Sequence, residues 1–292
     1  MKKVGFVAVY GRANAGKSTI INKCLGFKLL PVSSKPQTTR DNVKAIYNDE
    51  DSQIVFVDTP GVFKPHGKLG SILLRDAENA KEGVYLILYV IDASEVPNFE
   101  LCEKLKDAQS PVIICFNKVD LVKANIGEER LARYQALLPD AKVVRMSALT
   151  DFGIKELLRV IKDELPEGEP YYPEDIVSDR PKEFIISEII REKCMRLLKA
   201  EVPHSIAIDL KAVKEDDDLM EVYGNIIVEK ESEKAIVIGK KGSMISEISK
   251  YSEKSLSLYF GKDVSCQLTV KVIPDWRNSD RYLKKFGYDE KA

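Results

Sequence analysis

Nine residues near the start of the chain, GRANAGKST at Gly11–Thr19, have the types and spacing of a phosphate-binding turn. They match the pattern G-x-x-x-x-G-K-[ST] and directly follow an apolar run, Val4–Tyr10. Glycines let backbone N–H groups converge on phosphate oxygens, Lys17 would reach the outer phosphates, and the Ser18 hydroxyl would hold Mg²⁺. The residues expected to bind the ligand in this turn are Gly11, Asn14, Ala15, Gly16, Lys17, Ser18 and Thr19.

A second polar turn, Asp58-Thr59-Pro60-Gly61, follows the apolar segment Ile54–Val57. Its aspartate could orient a water molecule on Mg²⁺, and the Gly61 N–H could contact a γ-phosphate. Such a turn is common by itself. Its place after a phosphate loop favours a nucleoside triphosphate as the ligand.

The segment KPQTTRD, Lys35–Asp41, lies between these two turns and carries two adjacent hydroxyls. One of them could complete the Mg²⁺ ligands while the γ-phosphate is present. Thr39 is the preferred ligand and Thr38 is the alternative. Loss of the γ-phosphate would release this segment and the residues after Gly61, which is how hydrolysis becomes a conformational signal.

Two later turns indicate which base is bound. Asn117-Lys118-Val119-Asp120 follows a predicted strand, and Asp120 could accept hydrogen bonds from guanine N1–H and N2–H₂. Adenine lacks both donors in that arrangement, so this carboxylate argues against the alternative of a metabolic P-loop kinase that uses ATP. Ser147-Ala148-Leu149 could present a backbone N–H to guanine O6. Four such turns in this order favour a GTPase.

The residue after Gly61 bears on the rate of GTP hydrolysis that these turns predict. In Ras-like enzymes a glutamine next to that glycine positions the attacking water, but Val62 can donate nothing. No other residue is an obvious base, because a lone loop histidine such as His66 is more often only solvated. We therefore predict slow intrinsic turnover that depends on another charge-neutralising group. The residues assigned to catalysis from the pattern are Lys17, Thr39, Asp58 and Gly61.

The first 165 residues alternate strand-like and helix-like segments. Helical apolar spacing over Glu128–Leu138 and Ile154–Leu165 separates buried apolar runs, which predicts a doubly wound α/β fold with a mostly parallel sheet. In such folds ligands bind at the carboxyl ends of the strands, where the polar turns lie. The predicted strands are Val4–Tyr10, Ile54–Val57, Val84–Ile91, Pro111–Phe116 and Lys142–Met146.

The composition changes at Leu165–Pro181, which contains four prolines. We therefore expect a nucleotide-binding domain at 1–168, a linker at 169–181 and an α+β domain at 182–292. In the last of these, the order helix, strand, strand, G-x-x-G turn, helix, strand is predicted. The predicted elements are a helix over Glu183–Leu198 and strands over Ser205–Val213, Glu221–Glu229 and Val264–Ile273.

The turn Gly239-Lys240-Lys241-Gly242 precedes a predicted helix in this second half. A G-x-x-G turn lets a nucleic-acid backbone approach closely, and two lysines neutralise its phosphates. This is the clamp of KH domains, which hold about four single-stranded nucleotides, and the element order is that of type II. The residues expected to contact RNA are Ile238, Gly239, Lys240, Lys241, Gly242 and Ser243.

The bulk composition limits the remaining possibilities. The 292 residues carry a formal net charge of −1, so any nucleic-acid site must be a local patch. Five isolated cysteines and two histidines argue against a disulfide framework or a zinc site and suit a reducing cytoplasm. We expect no signal peptide and no transmembrane segment, and we expect a monomer. Peripheral contact with the inner face of the cell membrane stays open.

Taken together, the motifs resemble the Era family of bacterial ribosome-assembly GTPases. The likeness covers nearly the whole chain and includes GRANAGKST, KPQTTRD, DTPG, NKVD, SAL, YYPED, SEIIREK, EVPHS, VIGKKGSMI and WRNSDRYLKKFGY. The chain departs from the family's usual residues at Ala13, Ala15 and Thr269. A membrane-associated or cell-cycle signalling GTPase whose C-terminal domain binds protein is the alternative.

This resemblance implies a partner and a cofactor that the pattern alone does not give. It implies binding to the 3′ end region of 16S ribosomal RNA, maturation of the 30S subunit, and an RNA-binding form favoured by GTP. It also implies peripheral association with the inner membrane. The family has a hydrophobic residue at the position of Val62, and its asparagine at the position of Asn14 is associated with a K⁺ ion that supports catalysis.

Overall fold

The computed structural model describes residues 1–33, 35, 38–40, 42–61, 67–79, 82–199 and 201–288. They divide into two compact units. The first contains the described residues of Met1–Leu30, Thr39–Phe63 and Leu74–Asp179. The second contains those of Pro31–Thr38, Lys64–Leu73 and Arg180–Ala292.

The first unit is built on a mostly parallel sheet with the strand order β2-β3-β1-β4-β5-β6. Within it, β2 runs antiparallel to β3, and the short β7 pairs antiparallel with β1. The doubly wound, mostly parallel fold predicted for this half is confirmed, while β2 and β7 were not predicted. In chain order the elements up to β7 are β1 Lys2–Gly11, α1 Lys17–Leu25, β2 Val43–Asn48, β3 Ser52–Asp58, α2 Gly67–Asn79, β4 Leu86–Asp92, α3 Glu100–Glu103, β5 Val112–Asn117, α4 Ala124–Leu137, β6 Lys142–Arg145, α5 Ile154–Glu164 and β7 Glu167–Gly168.

The central strands are buried along most of their length. All seven residues of β3 and the six residues Leu86–Ile91 of β4 are buried. Parallel strands covered by helices on both faces require continuous apolar runs, which is why their sequences do not alternate. In β3, β4 and β5 the apolar run is followed by a polar residue, which is Asp58, Asp92 or Asn117. These three carboxyl ends lie at the same edge of the sheet, because β3, β4 and β5 all run parallel to β1 or to each other.

The segment 169–179 packs on the first unit through the amide of Gln53, which is fully buried. Its Oε1 accepts hydrogen bonds from the N–H groups of Tyr171 and Tyr172 at 2.7 and 3.0 Å. Its Nε2 donates to the Tyr172 carbonyl at 2.7 Å. The backbone N–H of Ile46 in β2 also donates to the Val177 carbonyl. These bonds fix most of the predicted linker along the β2–β3 side of the sheet.

The second unit contains a three-stranded sheet with the order β10-β9-β8. Strand β9 pairs antiparallel with β8 and parallel with β10. The predicted element order lacks two helices. One, α7, precedes the G-x-x-G turn, where only an apolar run was recognised, and the other, α9, follows the last strand. Trp276 is fully buried, and its Nε1–H donates to the Ser205 carbonyl at 2.7 Å. The elements are α6 Lys182–Leu197, β8 Ala207–Glu215, β9 Leu219–Val228, α7 Glu231–Ile238, α8 Ser243–Phe260, β10 Asp263–Val272 and α9 Asp280–Lys285.

Two stretches that precede α6 in sequence also pack within the second unit. The buried guanidinium of Arg191 on α6 donates to the Thr38 carbonyl, and the Lys35 ammonium donates to the Leu198 carbonyl. At the start of α2, the backbone N–H of Lys68 donates to Asn278 Oδ1 at 3.1 Å. Both stretches therefore belong to the second unit, although they precede α6 in sequence.

The five cysteines are buried and are not joined by disulfides, as their spacing predicts. In the part of the chain that the structure describes, no helix combines the length and apolar character needed to cross a membrane.

Candidate functional site

Two positions in the loop between β1 and α1, Gly11 and Gly16, have no room for a side chain. A Cβ on Gly11 would lie 2.4 Å from the Val90 carbonyl oxygen, and one on Gly16 would lie 2.3 Å from Asn117 Nδ2. Gly16 and Asn14 adopt left-handed backbone conformations, with φ of 105° and 64°. The chain can therefore wind closely around a ligand here without side chains in the way.

The Lys17 side chain is held inside this loop. It is only 6% exposed, and its Nζ donates to the carbonyls of Gly11 and Arg12 at 3.1 and 3.0 Å. Burial lowers the pKa of Lys17 to about 8, although the nearby Asp58 carboxylate works in the opposite direction. An anion bound in the loop would favour the protonated lysine and raise that pKa.

Three side-chain oxygens converge next to this lysine. Ser18 Oγ donates to Asp58 Oδ2 at 2.7 Å, and Thr39 Oγ1 lies 3.1 Å from Ser18 Oγ and 3.2 Å from Asp58 Oδ2. Burial raises the pKa of the fully buried Asp58, while Lys17 and the two hydroxyls lower it. The other Asp58 oxygen, Oδ1, is buried and has no hydrogen-bond partner among the residues that the structure describes. An all-oxygen cluster with one unsatisfied carboxylate oxygen fits Mg²⁺, which takes few protein ligands and keeps several waters.

The structure distinguishes between the two candidate threonines. Thr38 Oγ1 donates to the Lys35 carbonyl and lies 2.7 Å from Ser33 Oγ, so its hydroxyl is engaged within its own segment. Only the Thr39 hydroxyl reaches Ser18 and Asp58.

The Asp58–Gly61 turn is fixed against the phosphate loop. A Cβ on Gly61 would lie 2.5 Å from Ala13 Cα and 2.7 Å from its backbone nitrogen. The Thr59 hydroxyl donates to the Val9 carbonyl at 2.8 Å. The two turns assigned to the phosphates are therefore in direct contact. Val62 and His66, on which the prediction of slow turnover rests, lie outside the described residues.

The Asn117 side chain connects the two base-recognition turns to the phosphate loop. Its Nδ2 donates to the Ala15 carbonyl at 2.8 Å, and its Oδ1 accepts the Ala148 N–H at 3.0 Å. The Asp120 side chain is exposed and forms no hydrogen bond or ion pair within the described part of the chain. Its carboxylate is available to a ligand, while Ser147 is buried and its N–H donates to the Phe152 carbonyl.

The Lys118 side chain also connects its turn to the phosphate loop, and it does so together with Asp92, which was not among the predicted site residues. Its Nζ donates to the Asn14 carbonyl at 2.8 Å and to Asp92 Oδ2 at 2.5 Å. Asp92 ends β4, directly after the predicted strand Val84–Ile91. Asp92 could have been found from the sequence, because it is a polar residue at the carboxyl end of a central parallel strand, which is where ligands bind in such folds.

The lysine-rich turn of the second unit has the backbone conformation of a close-approach loop. Gly239, Lys241 and Gly242 have positive φ angles of 73°, 53° and 79°. A Cβ on Gly239 would lie 2.7 Å from the Met244 backbone nitrogen. Lys240 and Lys241 are exposed, and neither forms an ion pair with the residues that the structure describes. The turn lies between Ile238, which ends α7, and Ser243, which begins α8.

Family models match both halves of the chain. Residues 6–118 match the family described as 50S ribosome-binding GTPase, and residues 201–277 match the KH domain. GTPase Era of Clostridium kluyveri is 41% identical over 292 residues, which is 99% of this chain and all of that protein.

Two solved structures have the same fold over the full length. A variant of Aquifex aeolicus Era bound to GDP·AlF₄⁻ has a TM-score of 0.93 and 38% identity, covering 98% of this chain and 99% of that one. Era in complex with MgGDPNP and nucleotides 1506–1542 of 16S ribosomal RNA gives the same TM-score and identity, over 99% and 100% of the two chains. From its motifs, its fold and its full-length relatives, the chain belongs to the Era family of GTPases.

Proposed function

We propose that this protein is a GTP-binding and GTP-hydrolysing switch that binds the 3′ end region of 16S ribosomal RNA and assists maturation of the 30S subunit. The observation that carries the proposal is the presence in one chain of a phosphate loop tied to a guanine-type turn by Asn117 and of an exposed Gly239–Gly242 clamp. The similar Era structure that contains both MgGDPNP and 16S nucleotides supports it.

The residues of the first unit have distinct roles in this proposal. Mg²⁺ would neutralise phosphate charge when bound, held by Ser18 and Thr39 directly and by Asp58 through a water molecule. Lys17 leaves its carbonyl partners to bind the outer phosphates, and the Gly61 N–H donates to the γ-phosphate. Asp120 accepts the two guanine donors and so selects GTP over ATP. A K⁺ ion near Asn14 would supply the charge neutralisation on which the predicted slow turnover depends.

The small subunit is favoured over the large one as the site of action. The family description that names the 50S ribosome applies to residues 6–118, which exclude the predicted RNA-binding turn. The match to the Era complex covers 99% of this chain, and the RNA in that complex is 16S. We further propose a cytoplasmic location, supported by the five reduced cysteines, and peripheral membrane contact stays a prediction.

Crosslinking the GTP-loaded full chain to cellular RNA and sequencing the trapped fragments tests the proposal. We expect enrichment of the 3′ end of 16S RNA, and loss of that enrichment when Lys240 and Lys241 are both changed to glutamate. Trapped RNA without that enrichment would contradict the proposed partner. A pull-down treated with RNase separates the signalling alternative, because a directly bound protein would survive digestion. Competition between GTP and ATP for the same site tests the base preference.

A further inference from the structure

Asp92 is held more firmly than a surface carboxylate at the end of a strand. Its side chain is 7% exposed, and its two oxygens have separate partners. Oδ1 accepts the Ser94 N–H at 2.9 Å and the Ser94 hydroxyl at 2.6 Å, while Oδ2 accepts Lys118 Nζ at 2.5 Å. The Ser94 bonds fix the carboxylate so that Oδ2 faces the lysine.

Lys118 is consequently held from two sides. Its Nζ bridges Asp92 and the Asn14 carbonyl of the phosphate loop. The backbones that carry Asp92 and Lys118 are also paired. Asp92 lies opposite Asn117 in the sheet, and the Ala93 N–H donates to the Asn117 carbonyl at 2.8 Å. Strand β4 therefore supports the base-recognition turn through both backbone and side chain.

From this geometry we propose that Asp92 is a positioning residue for guanine-nucleotide binding that acts through Lys118. A lysine side chain that is ordered before the ligand arrives does not have to be ordered on binding. Asp92 holds the Lys118 ammonium on the phosphate loop. The Lys118 backbone has a φ of 63° and precedes Asp120 by two residues. This inference rests on the proposed GTP-binding function and adds to it a residue outside the four turns.

Asp92→Asn is the informative substitution. Asparagine has one carbonyl oxygen, so it can keep the Ser94 turn but cannot also offer Lys118 a charged acceptor. We expect the Kd values for GDP and for a non-hydrolysable GTP analogue to rise about tenfold, as for loss of a partly buried charged hydrogen bond. Hydrolysis at saturating GTP is expected to stay near wild type, because Lys17, Ser18, Thr39 and Asp58 are unchanged.

A double-mutant cycle with Lys118→Met separates positioning from a general structural effect. If Asp92 acts through Lys118, Asp92→Asn weakens nucleotide binding in the wild-type background and adds almost nothing when Lys118 is methionine. An equal loss in both backgrounds would show that Asp92 acts by another route and would overturn the proposal. An unchanged Kd in the wild-type background would overturn it as well.

The matched control is Glu95→Gln, which neutralises a carboxylate in the same loop. Glu95 pairs with Arg12 at 3.2 Å, is about half exposed and does not touch Lys118. The Kd values of Glu95→Gln are expected to match those of the wild type, and a tenfold loss of affinity in this variant would mean that general loop charge, not Asp92, sets affinity.

If the wild-type chain itself bound no guanine nucleotide, the proposed function would fail. Normal wild-type binding together with the outcomes above tests Asp92 alone.

Discussion

The Ser18 hydroxyl lies 2.7 Å from Asp58 Oδ2, which joins the first turn of α1 to the end of β3 across 40 residues of sequence. Thr39 completes this cluster from a third segment. The fold itself therefore brings together the three side chains that are assigned to Mg²⁺.

Changing the adjacent threonines one at a time tests this cluster. Thr39→Ala should reduce Mg²⁺-dependent GTP hydrolysis at saturating GTP by at least about tenfold, because it removes a hydroxyl that supports a divalent ion on the γ-phosphate. Thr38→Ala is the matched control, since that hydroxyl bonds within its own segment. Its rate should stay within about twofold of wild type. A larger loss for Thr38→Ala would reverse the assignment.

Gly61→Ala tests the contact between the two phosphate turns. The new Cβ would meet the Ala13 backbone at 2.5 Å, so Gly61 must move away from the loop and its N–H must leave the γ-phosphate. We expect affinity for a GTP analogue to fall at least about tenfold, while GDP, which has no γ-phosphate, loses much less.

Gly127→Ala in α4 is the control for this substitution, because the closest atom to its Cβ would be a Val122 methyl at 3.4 Å. It should leave both affinities unchanged and can slightly stabilise the helix. Equal losses for GDP and the GTP analogue in Gly61→Ala would argue that the turn does not sense the γ-phosphate.

Nucleotide binding is expected to take up protons near pH 8. The pKa of Lys17 is lowered to about 8 by burial, so about half of this lysine is neutral at pH 8 in the nucleotide-free protein. Phosphates favour the charged form, and binding must supply the missing proton. Calorimetry in two buffers of different ionisation enthalpy should show an uptake of about half a proton at pH 8 and nearly none at pH 6.5. No buffer dependence at pH 8 would contradict this role of Lys17.

The same lysine gives the nucleotide-free protein a definite pH dependence of stability. Because its folded-state pKa lies below the ordinary value of 10.5, the unfolded chain binds more protons between about pH 8 and 10.5. The Lys17 contribution to the free energy of unfolding therefore rises with pH in that window. In denaturant titrations, Lys17→Met should remove this part of the pH dependence.

Charge reversal at the G-x-x-G turn should weaken RNA binding and leave GTP binding intact. In Lys240→Glu/Lys241→Glu the loss of two phosphate contacts should lower the salt slope of RNA affinity by about 1.4 for a single strand. Lys254→Glu/Lys271→Glu is the matched control, with the same charge change on exposed lysines of the same unit. Equal RNA affinities for the two double variants would mean that the turn is not the clamp.

The sequence identified the strands and turns whose signals are local. Buried parallel strands such as β1 and β3 appear as apolar runs, and the residues after them must meet at one edge of the sheet. Strand β2 escaped notice because it has no long apolar run and owes its place to pairing with β3. Helix α7 was missed because eight residues containing Ile236–Ile238 look equally like the end of a strand.

The contacts among the site residues could not be predicted from the sequence. Thr38 and Thr39 are indistinguishable by type and differ only in which neighbours their hydroxyls reach. Asp92 lies 26 residues from Lys118, and no motif relates them. The anchoring of Thr38 by Arg191 joins residues 153 positions apart, a distance over which sequence spacing carries no information.

The proposed switch requires that the nucleotide in the first unit controls RNA capture by the second. The most direct measurement is the affinity of the full-length protein for a single-stranded RNA of the 16S 3′ end, at one salt concentration, with GDP, with a non-hydrolysable GTP analogue and without nucleotide. We expect the analogue-bound protein to bind RNA most tightly. Indistinguishable affinities in the three states would contradict it.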